Sequence, residues 1–233
     1  MERTNERTLL GVSIGHAAHD TWYGVAPILL AALSNQMQLS NSEIGLVLLL
    51  YQAVSSLTQP FFGRLSERVG GRSMGVAAIL WTTLMFSGVL FAPSKVLLAV
   101  FIGLAGLGSG AWHPQGAVAA TVAGGLRWGA TSASIFFLGG TLGSAVLGAA
   151  LGGWLLGAFG RPSLLVISAI TASVALFVVR AMVPRQITPA LKTAEAAPTA
   201  SNGNGKRAFW IILVLLLAST AFRSLVAHSL NTY

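Results

Sequence analysis

Gly63-Arg64-Leu65-Ser66-Glu67-Arg68-Val69-Gly70-Gly71-Arg72 packs three arginines, a glutamate and three glycines into ten residues. The chain on either side is apolar: Glu43–Phe62 precedes the stretch and Ser73–Ala92 follows it. Each flank holds about 20 residues, enough for a helix to cross a hydrocarbon core of about 30 Å. A short basic connection between two such flanks joins two membrane spans on one side of the bilayer. Its charges hold it in water, and its glycines permit a sharp reversal and close helix approach.

The same alternation runs through the whole chain. Seven stretches are long and apolar enough to span: Thr8–Leu33, Glu43–Phe62, Ser73–Ala92, Lys95–Ala120, Ala130–Leu156, Ser163–Val183 and Phe209–Tyr233. The first is too long for the apolar run of a signal peptide, about 7–15 residues, and it contains His16, His19 and Asp20. Composition agrees. Of 233 residues, 54% are hydrophobic and 9% charged, against roughly 25% charged in soluble proteins. So few charges cannot cover a soluble surface, and the expected class is an all-α polytopic membrane protein.

Basic residues give the orientation. With the N-terminus cytoplasmic, the inner segments carry Arg3, Arg7, Arg64, Arg68, Arg72, Arg127, Arg180, Arg185, Lys192, Lys206 and Arg207. The outer loops then carry only Lys95 and Arg161. Eleven against two obeys the positive-inside rule, and the inverse topology breaks it. The expected location is the cell (inner) membrane. The net charge of +8 lies in these gaps rather than on one face, so no nucleic-acid partner is expected.

Three units follow: a six-span half over residues 1–183, a flexible cytoplasmic linker over 184–208, and a seventh span over 209–233. The linker carries Pro184, Pro189, Pro198 and Ser201-Asn202-Gly203-Asn204-Gly205. The last span reaches Asn231-Thr232-Tyr233 without a polar exit, which reads as the opening of a second half or as a truncated frame. Within the first half, Gly63-x-Leu65-x4-Gly70-x2-Ser73 matches Gly153-x-Leu155-x4-Gly160-x2-Ser163 ninety residues later. These segments follow spans two and five, as a three-plus-three inverted repeat requires.

Four motifs carry a family resemblance. The connection Gly63…Glu67-Arg68…Gly70…Arg72 resembles the signature of the major facilitator superfamily, with Glu67 in place of the more usual Asp. Gly15-His16-Ala17-Ala18-His19-Asp20, Tyr51-Gln52-x6-Gln59-Pro60-x2-Gly63 and Gly106-Leu107-Gly108-Ser109-Gly110-x2-His113-Pro114-Gln115 are similar to segments of its fosmidomycin resistance branch. Arg223 and Leu230-Asn231-Thr232-Tyr233 look like the opening of that branch's seventh span. The resemblance implies twelve helices in two six-helix halves around a central cavity, worked by alternating access. It also implies proton-driven export of small, anionic or drug-like molecules. Two positions depart from the pattern: Gln115 stands where an acidic residue is usual, and Gly148 where a Gly-Pro pair is expected.

Ionisable groups inside spans cost about 2.5–3.5 kcal/mol each at a helix centre and therefore mark candidate sites. His16 and Asp20 stand four apart on one helix face, and a carboxylate that can change charge state there is what proton coupling requires. Read structurally, Asp20 is hydrogen-bonded to neighbouring helices. His113-Pro114 marks either a substrate-binding helix discontinuity or a kinked helix end. Gln52 and Gln115 are candidate substrate contacts or helix staples, and Trp22 and Trp112 line a cavity or anchor the interface. Arg223 falls near mid-membrane and needs a carboxylate or an anionic substrate; Asp20 is the acidic residue at matching depth.

Gly139 and Gly143, with Gly148/Gly152 and Gly153/Gly157, read as helix-packing surfaces. Gly63, Glu67, Arg68, Gly70 and Arg72 read as a cytoplasmic gate. His16 and His19 alone do not make a metal site, which needs a third or fourth ligand. His113 is expected too close to the inner end of span four to supply one, so no metal and no cofactor is expected. Cysteine is absent, which removes thiolate chemistry. Ser109 lacks the Gly-x-Ser-x-Gly setting because Leu107 precedes it by two, and no phosphate-cradling loop occurs. The expected partners are the bilayer, protons, a small-molecule substrate, and a missing C-terminal half or a second copy. A non-transporting membrane subunit or remnant is the alternative, and an enzyme the weakest reading.

Overall fold

In the computed structural model of the chain, residues 3–187 are described, all of them helical apart from short connections. The expected linker beyond Ile187 and the seventh span, with Arg223, lie outside these residues. The chain opens with α1, Arg3–Met37, followed by α2, Asn41–Val69, and α3, Gly71–Leu90. A helical run then extends from Lys95 to Phe159 over 65 residues. At roughly 1.5 Å per residue this would be about 97 Å long, three times a bilayer core. Gly125 (φ 60°, ψ −165°) breaks it, giving α4 before that residue and α5 after it. Within α5, Gly143–Gly152 widens to a π-helix. The last element, α6, covers Arg161–Met182 and includes a second π-helical stretch, Val174–Val179.

Among the described residues, four helices are apolar and long enough to cross a membrane: Asn41–Val69, Gly71–Leu90, Lys95–Phe159 and Arg161–Met182. Divided at Gly125, the third supplies two spans. α1 has the length, 35 residues, but His16, His19 and Asp20 lower its hydropathy. The six expected spans of the described residues are therefore all present as helices, and spans one, two, four and five run further than hydropathy places them. The stretch Gly63–Val69, expected as loop, is the last part of α2, because nothing in it breaks a helix before Gly70. Residues 121–129, expected as a connection, are helical on both sides of Gly125. Pro114 is accommodated inside α4, where Gly125 is the residue with non-helical angles. The expected discontinuity at His113-Pro114 does not occur.

The positive-φ residues of the described chain mark the repeat. Gln38 (52°), Gly70 (90°), Gly125 (60°) and Gly160 (76°) end spans one, two, four and five. At the matched glycines the turns are built alike: Gly70 N–H donates to Ser66 O and Gly160 N–H to Leu156 O, each at 2.9 Å. Ser66 and Leu156 are themselves ninety residues apart. Spans one and two thus end as spans four and five do, each at a positive-φ residue.

Small residues set the helix spacing. A Cβ on Gly106 would stand 2.6 Å from Tyr51 O, and one on Gly110 2.8 Å from Ser55 O, both on α2. Gly108, on the other side of α4, faces Ala78 O of α3 at 2.7 Å. One glycine motif therefore seats α4 against two neighbours. Gly139 lies against Ser13 O at 2.5 Å, and Gly143 and Gly148 against the carbonyls of Ala17 and Thr21, so α5 lies directly on the α1 backbone.

Two apolar cores result. One gathers Trp22, Leu29, Phe86, Ile102 and Leu164; the other gathers Val12, Ile79, Trp112, Phe136 and Val179. On α1 the polar residues His16, His19 and Asp20 fall between them. Outward-facing positions carry Leu46, Leu49, Leu57, Phe61, Phe91 and Phe177, all exposed, as lipid-facing surfaces do.

Candidate functional site

The polar layer of α1 meets α4 at one place. His16 Nε2 lies 3.1 Å from Asp20 Oδ2 and 3.3 Å from His113 Nε2. His113 Nε2 lies 3.7 Å from Asp20 Oδ1. His19 Nδ1 donates to Asp20 Oδ1 at 2.9 Å, and its Nε2 is 3.2 Å from Thr82 Oγ1 of α3. His16 stacks on Phe136 at a centroid distance of 4.0 Å, and its Nδ1 donates to the Phe136 carbonyl at 2.8 Å. Gly140 lets α5 close over this group: a Cβ there would stand 2.6 Å from His16 Nε2 and 2.7 Å from Asp20 Oδ2.

The meeting of His113 with His16 and Asp20 corrects the expected placement near the inner end of span four. Hydropathy ends that span at Ala120, whereas α4 continues to the break at Gly125. His113 therefore stands twelve residues from that end, about 18 Å, and His16 thirteen residues from Arg3, about 20 Å. The two are at one depth.

A cavity of about 150 Å³ opens beside the cluster, lined by Asp20, Tyr23, Tyr51, Gln52, Ser55, Gln59, Ser109 and His113. Three helices supply it: α1, α2 and α4. Ser55 Oγ donates to Ser109 Oγ at 2.8 Å across the α2–α4 contact, and Gln52 Nε2 donates to Ser56 Oγ at 3.2 Å. Of the residues expected in the site, Asp20, Gln52 and His113 line the cavity, and His16 backs it from the buried side.

Trp22 and Gln115 are not among the lining residues. Trp22 is fully buried, stacked on Phe86 at 5.1 Å, with its Nε1 donating to Thr171 Oγ1 at 3.3 Å. Gln115 is buried, and neither of its amide atoms has a hydrogen-bond partner among the described residues. Tyr51, Ser55 and Gln59 went unselected although their spacing of four along α2 puts them on one helix face. Tyr23 stands three after Asp20 and Ser109 four before His113, spacings that put each on the helix face of a candidate residue.

The glycine-rich connection is a tight corner. Gly70 ends α2 and begins α3, and a Cβ on it would stand 2.5 Å from Arg185 O. Arg72 Nη1 donates to Arg180 O at 3.2 Å, while Glu67 and Arg68 are exposed on the final turn of α2. Gly63 lies beside Pro114 of α4. At the other end of α2, Ser40 and Glu43 form a reciprocal capping box. Lys95 Nζ donates to Glu43 Oε1 at 2.6 Å, pinning the start of α4 to that of α2.

Comparison with known proteins bears on this arrangement. A family model described as Major Facilitator Superfamily matches residues 13–233. An uncharacterized MFS-type transporter of Bacillus subtilis (strain 168), YfnC, is 27% identical over 196 residues, covering 83% of this chain and 48% of the relative. A fosmidomycin resistance protein of Escherichia coli (strain K12) is 30% identical over 162 residues, covering 68% of this chain and 39% of the relative. The chain thus spans about half the length of the curated relatives it matches.

Proposed function

The chain belongs to the Major Facilitator Superfamily, and on that premise we propose that it works as one six-span half of a proton-coupled secondary transporter. The transporter exports small, anionic or drug-like molecules by alternating access. The observation that carries this reading is the convergence of His16, Asp20 and His113 in the wall of the cavity between α1, α2 and α4. An ionisable cluster held at mid-span costs several kcal/mol and is retained where it does work.

In this reading His16 and Asp20 take up and release the proton, with His113 as the third member. The ring orientations support it. The Nδ1 of His16 and of His113 are both held by backbone carbonyls, leaving each Nε2 to exchange a proton with Asp20. Tyr23, Tyr51, Gln52, Ser55, Gln59 and Ser109 supply hydrogen bonds to a substrate on the same wall. Gly63, Glu67, Arg68, Gly70 and Arg72 form the cytoplasmic gate, where the corner at Gly70 touches the backbone beyond α6. The opposing wall comes from a second six-span unit, either further along the chain or from a second copy, with residues 184–208 as linker and Arg223 in span seven as an anion contact. The charge asymmetry supports a cytoplasmic N-terminus, in a protein of the inner membrane.

The name of the Escherichia coli relative makes fosmidomycin the first compound to assay. The intact protein, reconstituted in vesicles loaded with a pH-sensitive dye, is expected to move protons when fosmidomycin is added. Asp20→Asn is expected to abolish that signal. Proton movement unchanged in Asp20→Asn overturns the assignment of the proton site.

A further inference from the structure

His16, Asp20 and His113 direct three electron-pair donors at one point. His16 Nδ1 lies 2.8 Å from Phe136 O, and His113 Nδ1 lies 2.9 Å from Ser109 O. A carbonyl oxygen only accepts, so each Nδ1 carries its ring's hydrogen, and each Nε2 of a neutral ring is a bare lone pair. These lone pairs face one another at 3.3 Å. Asp20 adds Oδ2 at 3.1 Å from the first and Oδ1 at 3.7 Å from the second. Acceptors this close repel unless a proton or a metal ion lies between them, and the two compete for the same lone pairs.

We propose that His16 Nε2, His113 Nε2 and the Asp20 carboxylate form a binding site for a divalent transition-metal ion of the zinc and cobalt type. A tetrahedral ion with bonds of about 2.0–2.2 Å holds its ligands about 3.3–3.6 Å apart. The 3.3 Å between the two nitrogens matches such an edge, the carboxylate brings Oδ2 to 3.1 Å from His16 and Oδ1 to 3.7 Å from His113, and one ligand atom from each residue lies within 4.8 Å of the others.

The surroundings are those a metal site needs. A ligating histidine typically donates its other N–H to a carbonyl or carboxylate, which fixes the ring and strengthens the ligand; both rings do so here. Asp20 Oδ1 is in turn held by His19 Nδ1, and His19 by Thr82. Two imidazoles and one carboxylate suit zinc, cobalt or nickel better than magnesium or calcium. His16 is buried, while Asp20 and His113 border the cavity, which gives an ion its route in and leaves a fourth position for water or substrate. The inference rests on donor geometry and does not require the transport reading.

The test is titration of the intact protein in lipid nanodiscs with Co²⁺ alone, followed by visible absorption. The expected result is one saturable equivalent with the intense bands of a four- or five-coordinate ion, displaced by Zn²⁺. His16→Ala is expected to weaken binding at least about tenfold, the scale on which even outer-shell changes act. Because the chain contains no cysteine, His113→Cys gives a signature that unfolding cannot imitate: a thiolate-to-cobalt charge-transfer band in the near ultraviolet. A wild-type spectrum that stays that of the hydrated ion overturns the proposal, as does equal binding by wild type and His16→Ala. Proton flux measured in chelator-treated vesicles tests the transport reading separately, so failure of one is distinct from failure of the other.

Discussion

The Nε2 atoms of His16 and His113 lie 3.3 Å apart across 97 residues of chain. The contact joins α1 to α4, the first spans of the two three-helix repeats, at the depth where Asp20 also faces the cavity. It makes His113 a spatial member of the cluster rather than a residue at a helix end. Exchange of His113 for Asn removes the Nε2 lone pair and keeps a short polar side chain. Because 27% of the His113 side chain is exposed, unfolding should shift by no more than about 1 kcal/mol. Proton-linked flux in dye-loaded vesicles is expected to fall to background.

Gly140 is the point at which α5 closes on the cluster, with a Cβ at that position 2.6 Å from His16 Nε2. Gly140→Ala must therefore push α5 off α1 or turn the His16 ring, at a cost of about 1–3 kcal/mol. Gly157→Ala, in the last turns of the same helix, has nothing within 4 Å among the described residues and should be neutral or stabilising by up to about 1 kcal/mol. Thermal unfolding of the two variants in one detergent makes the comparison.

The corners at Gly70 and Gly160 share a positive φ but not their surroundings. Gly160→Ala meets only the conformational cost of about 1–3 kcal/mol, since the nearest atom, Pro162 Cδ, is 3.9 Å from its Cβ. Gly70→Ala adds a backbone collision, 2.5 Å from Arg185 O, and should be the more destabilising of the two. Equal melting temperatures for the pair would refute the close contact between this corner and the chain beyond α6.

Trp22 and Gln52 separate packing from substrate contact. Trp22→Ala empties a fully buried position stacked on Phe86 and is expected to cost about 3–5 kcal/mol. Gln52→Ala removes an exposed side chain whose hydrogen bond among the described residues is to Ser56 one turn away, so stability should change by less than about 0.5 kcal/mol. Transport, in contrast, should lose substrate affinity in Gln52→Ala, seen as a higher KM. An unchanged KM would mean that the α2 face of the cavity does not touch substrate.

Hydropathy found all six spans of residues 3–187 but misplaced their ends. Span two runs through the charged turn Arg64–Arg68 because those side chains are good helix formers that reach water from a helix as readily as from a loop. Pro114 suggested a break that α4 absorbs, whereas the real break sits at Gly125, which nothing in the sequence distinguishes from its neighbour Gly124. The error in the end of α4 is what put His113 too low. Conversely, the ninety-residue repeat read from a few glycines corresponds to like-built turns at Gly70 and Gly160.

Composition, apolar run length and loop charge by themselves determined that the chain is a multi-span helical membrane protein, because a bilayer admits few other solutions for such a sequence. Local spacing likewise determined that His16 and Asp20 share a helix face. Which residues of other helices meet that face was decided only in the tertiary structure. Helix rotation and depth depend on where glycines let backbones touch, as Gly106, Gly110, Gly140 and Gly143 do here. A shift of one residue turns a helix by about 100°, so hydropathy boundaries uncertain by a turn could not bring His113 to His16, whereas close-packed glycines could.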